Sequence, residues 1–372
     1  MVKMKENYGI YVHIPFCKAR CSYCAFSSCT NFNLQSAYFD AVCTEISNAE
    51  IPDNARIATM YWGGGTPSSV NVGYLRKLYK TLSRKFDLSE LCEFTVECNP
   101  ESVTAKLLRF LRSVGVTRLS FGLQSANDTT LKKIGRIHTY AGFLSALNLA
   151  RSFGFNNLNA DVIVGLPETA QEFYRTVDTV VTLPISHVSL YALEVHENTP
   201  IAQLVQQYAF TDDDLADMYD FALAKFSQNG FRRYEVSNFA KKNCECKHNL
   251  CYWTEQRYFA FGAAASGFVG DIRYTNQFDV KKYTQTGGVN CRADVQQISQ
   301  DDEMYEYVML GLRLERGISL ADFRCRFDTD FFLRFPNARK LIADGFLQLE
   351  NNRLHVAPNK FYVLNSILTE LL

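Results

Sequence analysis

The 372-residue chain has no excess of charge of either sign: 39 Lys and Arg stand against 39 Asp and Glu. That balance excludes a global field that would draw the chain to nucleic acid or to an anionic membrane, because phosphate binding rests on a basic surface. No apolar run approaches the ~20 residues needed to cross a bilayer. The opening stretch, MVKMKENYGIYVHIPF, lacks the apolar core and cleavage site of a secretory signal. These absences predict a cytoplasmic protein with no transmembrane segment and no nucleic-acid partner. There is no low-complexity tract, and no internal repeat beyond an alternation of strands and helices.

Apolar residues are abundant, at 47% of the chain. A chain of this length and composition can bury one large core and a smaller domain. Cysteine is abundant too, with twelve residues. They are scattered, and a chain this large needs no disulfide staples, so most read as buried free thiols. The exception is the tight group Cys17, Cys21 and Cys24.

The first part of the chain alternates apolar strands with amphipathic helices. YGIYVHIPF reads as a strand ending at Pro15, followed by a helix over Leu34–Asn48. The strand ARIATMYW then runs into Gly63-Gly64-Gly65, and Leu75, Leu78, Tyr79 and Leu82 mark a helix over Val72–Phe86. Further strands are expected at Glu93–Glu97, at Arg118–Gln124, in NADVIVGLP and in HVSLYALE. Helices are expected near Thr104–Val114, Gln171–Leu183 and Asp212–Asn229. Serial βα units predict parallel strands joined by right-handed crossovers. The fold class is α/β: a partial (β/α)6 TIM-like barrel over residues 1–282. Tyr283–Gln300 is polar and reads as a linker. Residues 301–372 form a smaller, mainly helical C-terminal domain with a β-hairpin turning at Asn351-Asn352, similar to a winged helix. That domain carries nine Lys and Arg against eleven Asp and Glu, a balance unsuited to DNA. It is expected to act as a lid or docking domain.

Glu97, Gln124, Asp161 and Glu194 each stand at or near the C-terminal end of an apolar strand. That edge is where β/α barrels build their sites. One polar residue at a strand end is an ordinary loop residue. Four in the same register point to a site, because burying them is costly unless something binds there.

The spacing Cys17-x-x-x-Cys21-x-x-Cys24 follows the first strand directly. Three thiolates can hold three irons of a [4Fe–4S] cubane and leave the fourth iron open to a small molecule. Zinc is the other metal such a group can take, with Cys29 or His13 as the fourth ligand.

The CxxxCxxC run, with an aromatic residue before the last cysteine, resembles the signature of the radical S-adenosylmethionine (SAM) superfamily. The Gly63-Gly64-Gly65-Thr66-Pro67 turn resembles its glycine-rich motif. YVHIPFC, WGGGTPS, ECNPES, LSFGLQS, DVIVGLP, YALEVHENTP and GLRLERG are similar to the oxygen-independent coproporphyrinogen dehydrogenase family and its heme-chaperone relatives. The resemblance covers nearly the whole chain. It implies a cluster on Cys17, Cys21 and Cys24, with SAM chelating the open iron and cleaved by one electron. It also implies Tyr11 near SAM, Tyr23 against the adenine, and Gly64, Gly65 and Thr66 at the amino end. Glu97, Gln124 and Asp161 would hydrogen-bond its polar groups, and Arg136 would pair with its carboxylate, a task suited to a guanidinium fork.

Two branches of that family differ at readable positions. The dehydrogenase branch carries a fourth cysteine two residues after the third, where this chain has Phe26, and an extension ahead of the first strand. His248–Trp253, HNLCYW, resembles a signature of the heme-chaperone (HemW) branch. That branch implies heme as a cofactor and acceptor hemoproteins as partners. Chaperone-branch sequences commonly have Asp after the third cluster cysteine; this chain has Ala25. His248 offers an imidazole to heme iron, and Tyr252 and Trp253 can stack on a porphyrin. The same stretch, with Cys244, Cys246 and Cys251, can instead bind zinc, or His248 can be a structural residue among core aromatics. Three functions follow: a heme chaperone, a coproporphyrinogen III oxidase, and a radical SAM methyltransferase.

Overall fold

A computed structural model of the protein describes residues 5–195, 199–208 and 210–372. Six strands follow one another in spatial as in sequence order: β1 (Glu6–Ile14), β2 (Ala55–Gly64), β3 (Glu93–Cys98), β4 (Arg118–Gln124), β5 (Asn157–Val164) and β6 (His187–Ala192). Every neighbouring pair among them is parallel. Helices return the chain between them, including Gln35–Asn48, Val72–Lys85, Ala105–Ser113, Tyr140–Ser152 and Ala170–Val180. Local chemistry sets their starts. Thr104 caps its helix by accepting from the Leu107 amide, and Thr169 forms a reciprocal capping box with Glu172.

The strands alternate strictly in character. One face presents Ile10, Val12, Met60, Trp62, Phe94, Val96, Leu119, Phe121, Ala160, Val162, Val188 and Leu190, all buried against the helices. The other face lines the inside of the curl and is polar. It carries Tyr11 and His13, Thr59 and Tyr61, Glu93, Thr95 and Glu97, Arg118 and Ser120, Asn159 and Asp161, His187 and Ser189. The main apolar core therefore lies between sheet and helices, and the lumen is a hydrogen-bonded polar interior. Asn159 Nδ2 donates to Ser120 and to Asp161, both at 2.7 Å, and His187 joins Asn159 at 2.6 Å to Tyr234 at 2.9 Å.

The sheet continues past both ends of this run. After β6 come the short strands β7 (Arg232–Arg233) and β8 (Asn238–Ala240), with β8 antiparallel to β6. On the other side β9 (Arg257–Phe261) pairs with β1 and is parallel to it, a seventh parallel strand. The small-residue run Gly262–Gly267 follows directly after β9. Three antiparallel strands follow: β10 (Ser266–Val269), β11 (Ile272–Asn276) and β12 (Arg292–Gln297). The last of them corrects the expectation of a linker over 283–300. That stretch holds the end of the helix Val280–Gln285, with Tyr283 buried, and then the edge strand β12. All six residues of β12 are exposed, so its sequence shows no alternation of polar and apolar positions.

The C-terminal part has its own apolar cluster, built on Val308, Leu312, Phe323, Phe331, Leu341, Leu354 and Ile367. Its helices pack on a three-stranded antiparallel sheet, in which Leu347–Glu350 and Arg353–Val356 form the expected hairpin. Asn351 and Asn352 both have positive φ, as a two-residue hairpin turn requires. Ion pairs join this part to the barrel: Arg326 reaches Glu255 at 2.9 Å, and Arg257 pairs with Glu303. No helix among the described residues is long and apolar enough to cross a membrane.

Candidate functional site

A cavity of about 510 Å³ opens at the C-terminal edge of the parallel strands. Its wall includes Cys17, Cys21, Tyr23 and Cys24 from the loop after β1, and Gly64, Gly65 and Thr66 from the turn after β2. Glu97 and Asn99 come from the end of β3, Gln124 from β4, Arg136 from the following loop, Asp161 from β5, and Tyr191 and Glu194 from β6 onward. Of the twelve residues expected at the cluster and SAM, eleven meet here.

Backbone bonds hold the cysteine loop. The Cys17 amide donates to the Cys29 carbonyl at 3.0 Å, and the Cys29 amide to Pro15 at 2.8 Å. Ser22 donates to Ile134, joining the loop to the segment that carries Arg136. His13 joins the Ser27 carbonyl at 2.8 Å and the Tyr11 hydroxyl at 3.1 Å, and burial lowers its pKa to about 4. The Cys29 sulfur is engaged by the backbone of Asn31. Neither His13 nor Cys29 lines the cavity. Among the described residues, no three His, Cys, Asp or Glu side chains converge closely enough to hold a single metal ion. A cubane spreads its protein ligands over separate irons, so it asks for wider spacing than one zinc ion does. Burial pushes the Cys17 thiol up to about 11, opposed by the Thr66 hydroxyl at 3.3 Å.

The glycine turn is demanded by packing as much as by any ligand. Gly64 has φ of +106°, and a Cβ there would lie 2.3 Å from the His13 ring. Its amide donates to Glu97 Oε2 at 2.9 Å. Glu97 Oε1 accepts from the Tyr61 hydroxyl at 2.8 Å, and burial pushes the carboxyl up to about 7. Burial likewise raises Asp161. Tyr11, expected near SAM, does not line the cavity, nor do His248, Tyr252 and Trp253, expected at heme. Tyr11 lies one layer deeper in the lumen, against Tyr61.

Arg136 Nη1 donates to Asn99 Oδ1 at 3.0 Å, while its buried Nε has no hydrogen-bond partner. A Cβ at Gly122 would lie 2.5 Å from Nη2, so glycine there admits the guanidinium to the wall. An unsatisfied buried donor on a half-buried cation beside the cavity suits a carboxylate ligand. The thiol group, the donor set and the cation therefore fit an iron–sulfur cluster with SAM beside it. Asn99, Ser120 and Tyr191 belong to the same wall and escaped the sequence reading. Asn99 lies two residues beyond Glu97 and Ser120 four before Gln124, so their strand register was the available signal.

His248 requires a correction. It is fully buried at the opposite, N-terminal end of the barrel. Its helix, Lys247–Trp253, closes that end: the Lys247 and His248 amides donate to Glu93, the first residue of β3, at 2.8 and 3.1 Å. Nδ1 pairs with Thr59 at 2.8 Å and Nε2 with Tyr252 at 2.9 Å, and the ring stacks on Tyr61. Burial lowers its pKa to about 3. With both nitrogens engaged, it offers no free lone pair to heme iron in this arrangement.

A barrel edge of this kind, with three cysteines after its first strand, defines a radical SAM protein. The radical SAM superfamily profile matches residues 11–180, and the HemN C-terminal domain profile matches residues 298–359. The heme chaperone HemW of Bacillus subtilis (strain 168) is 34% identical over 90% of both chains. That of Lactococcus lactis subsp. lactis (strain IL1403) is 32% identical over 99% of this chain and 98% of its own. The chain belongs to the radical SAM superfamily and, within it, to the HemW family. The structure of coproporphyrinogen III oxidase (HemN) from Escherichia coli, at 23% identity, superposes with a TM-score of 0.85 over 99% of this chain and 90% of that one. It shares the fold. Membership in the superfamily implies a [4Fe–4S] cluster and SAM. The YALEVHENTP stretch is only partly visible, since 196–198 lie outside the described residues.

Proposed function

We propose that the chain is a heme chaperone of the HemW type, acting in the cytoplasm and delivering heme to acceptor hemoproteins. Cys17, Cys21 and Cys24 hold a [4Fe–4S] cluster. Arg136 pairs with the carboxylate of SAM, and Gly64, Gly65 and Thr66 take its amino end. Glu97, Gln124 and Asp161 meet its polar groups, and Tyr23 presents its ring to the adenine. Cluster and SAM together supply one-electron cleavage of a sulfur–carbon bond when bound. The protein's own residues hold, orient and shield them. Residues 1–282 serve as the core for this chemistry, and residues 301–372 as its lid or docking domain.

Phe26 carries the choice of chaperone over oxidase. It stands two residues after Cys24, lines the cavity and is 68% exposed, where the dehydrogenase branch carries a fourth cysteine. The identity to curated HemW proteins over nearly the full length supports the same reading. Heme contact is not assigned to His248, whose nitrogens are both engaged. The test is anaerobic incubation of the cluster-reconstituted protein with coproporphyrinogen III and SAM, with heme binding assayed in parallel. Heme bound without porphyrin production is the expected result. Porphyrin production would make the protein an oxidase, and a methylated product would make it a methyltransferase.

A further inference from the structure

Two side chains, Asn99 and Thr66, link the arginine of the cavity to a cysteine of the cluster loop. Arg136 Nη1 donates to Asn99 Oδ1 at 3.0 Å, Asn99 Nδ2 donates to Thr66 Oγ1 at 3.0 Å, and Thr66 Oγ1 lies 3.3 Å from Cys17 Sγ. The donor inventory fixes the direction of the first two links, and a ligating thiolate, which can only accept, fixes the third. A guanidinium only donates, so the amide oxygen of Asn99 must face Arg136 and its NH2 must face Thr66. The Thr66 oxygen therefore accepts, and its own proton is left for the remaining neighbour, the sulfur of Cys17. The chain cannot easily reorganise. Thr66 is 1% exposed, and its amide is tied to the Phe16 carbonyl at 2.9 Å. The Asn99 backbone N–H donates to Ser68 Oγ at 3.0 Å.

We propose that Asn99 and Thr66 are positioning residues that transmit the pairing of Arg136 with a carboxylate to the cluster through a one-way run of hydrogen bonds ending on Cys17. This rests on the reading of Cys17 as a cluster ligand. Hydrogen bonds polarise one another when all point the same way, and low local dielectric strengthens the effect. A donor on a ligating sulfur stabilises the added electron of the reduced cluster and raises its potential. A carboxylate neutralising Arg136 weakens the first donor, and the effect passes to the last. By linkage, one-electron reduction of the cluster alters the affinity for that carboxylate by the same factor.

The test is redox potentiometry of the reconstituted protein with dithionite as electron donor, with and without SAM, read by the electron paramagnetic resonance of the reduced cluster. Thr66→Val keeps the shape and removes the proton donor. It should retain full iron and lower the potential, changing the reduced-to-oxidised ratio at fixed poise by about three- to tenfold, the scale of one hydrogen bond to a charged group in part. Thr66→Ser keeps the hydroxyl and should restore the wild-type potential. Asn99→Ala should lower the potential less, and should diminish the further change that SAM causes. Equal shifts in the Val and Ser variants, or no shift in Val with full iron, would overturn the inference. Loss of the underlying reading looks different: wild-type protein would hold no cluster, or Cys17→Ala would keep all its iron.

Discussion

The Tyr61 hydroxyl donates to Oε1 of Glu97 at 2.8 Å, at the level where the polar lumen meets the cavity. The pair decides how a carboxylate in the cavity wall is kept usable. Burial alone favours the neutral acid, and it pushes Glu97 from 4.5 up to about 7 against the donors Tyr61 and Gly64. A folded pKa above the unfolded one means that the folded state binds the extra proton. This group therefore lowers stability progressively as pH rises from about 4.5 to about 7, and by a constant amount above that.

Tyr61→Phe removes a donor that favours the ionised form. Its cost should then depend on pH. Near pH 8 the variant should lose roughly 1.5–3 kcal/mol, the scale of a hydrogen bond to a charged group. Near pH 5.5, where Glu97 is mostly protonated, the loss should be clearly smaller. Chemical denaturation at the two pH values measures both. Equal losses would mean that Tyr61 does not discriminate between the two forms of Glu97.

Cluster content separates the ligand cysteines from their neighbours. Anaerobically reconstituted protein should contain about four irons per chain, the content of one [4Fe–4S] cluster. Ala at Cys17, Cys21 or Cys24 should remove them. Cys29→Ala should not, because that sulfur faces the Asn31 backbone outside the cavity. Stoichiometric zinc, or iron lost from the Cys29 variant, would refute the three-thiolate assignment.

Binding of SAM tests the cationic and acidic sides of the cavity. Arg136→Ala and Asp161→Ala should each weaken SAM by about ten- to a hundredfold, the equivalent of roughly 1.5–3 kcal/mol. Iron content should stay unchanged, since neither side chain touches the cysteine loop by a hydrogen bond. Isothermal calorimetry on the oxidised protein gives the affinity. Wild-type affinity in both variants would remove these residues from the site.

The site was legible where chemistry coincided with periodicity. Glu97, Gln124 and Asp161 stood out because each interrupts an apolar strand at its end, and the cavity gathers all three. Asn99 was hidden because an Asn before Pro100 also reads as an ordinary turn. β12 was hidden because an edge strand with both faces in solvent has no apolar alternation. β9 runs straight into the small residues Gly262–Gly267, which resemble a turn, and its pairing with β1 reveals it. The position of His248 depends on a helix folding back under the barrel, a long-range contact with Thr59 and Glu93 that no local pattern encodes.

That long-range contact gives the last prediction. His248→Ala deletes a fully buried ring, leaves the Tyr252 hydroxyl without this partner and leaves Thr59 with only the Cys251 thiol at 3.5 Å. A cavity and a stranded hydroxyl together should cost about 2–4 kcal/mol of stability. The loss should appear in protein without heme, in thermal or denaturant unfolding. If His248 only braces the base of the barrel, heme added to the folded variant should show the wild-type axial-ligand spectrum, with any drop in affinity tracking the lost stability. Trp253→Ala separates the two roles further. Trp253 is half-buried at the end of the same helix, so its loss should disturb the fold less than loss of His248. A His248→Ala variant with wild-type stability and an altered axial-ligand spectrum would contradict the bracing role. It would require the helix Lys247–Trp253 to swing open and release the imidazole from Thr59 and Tyr252 before heme binds.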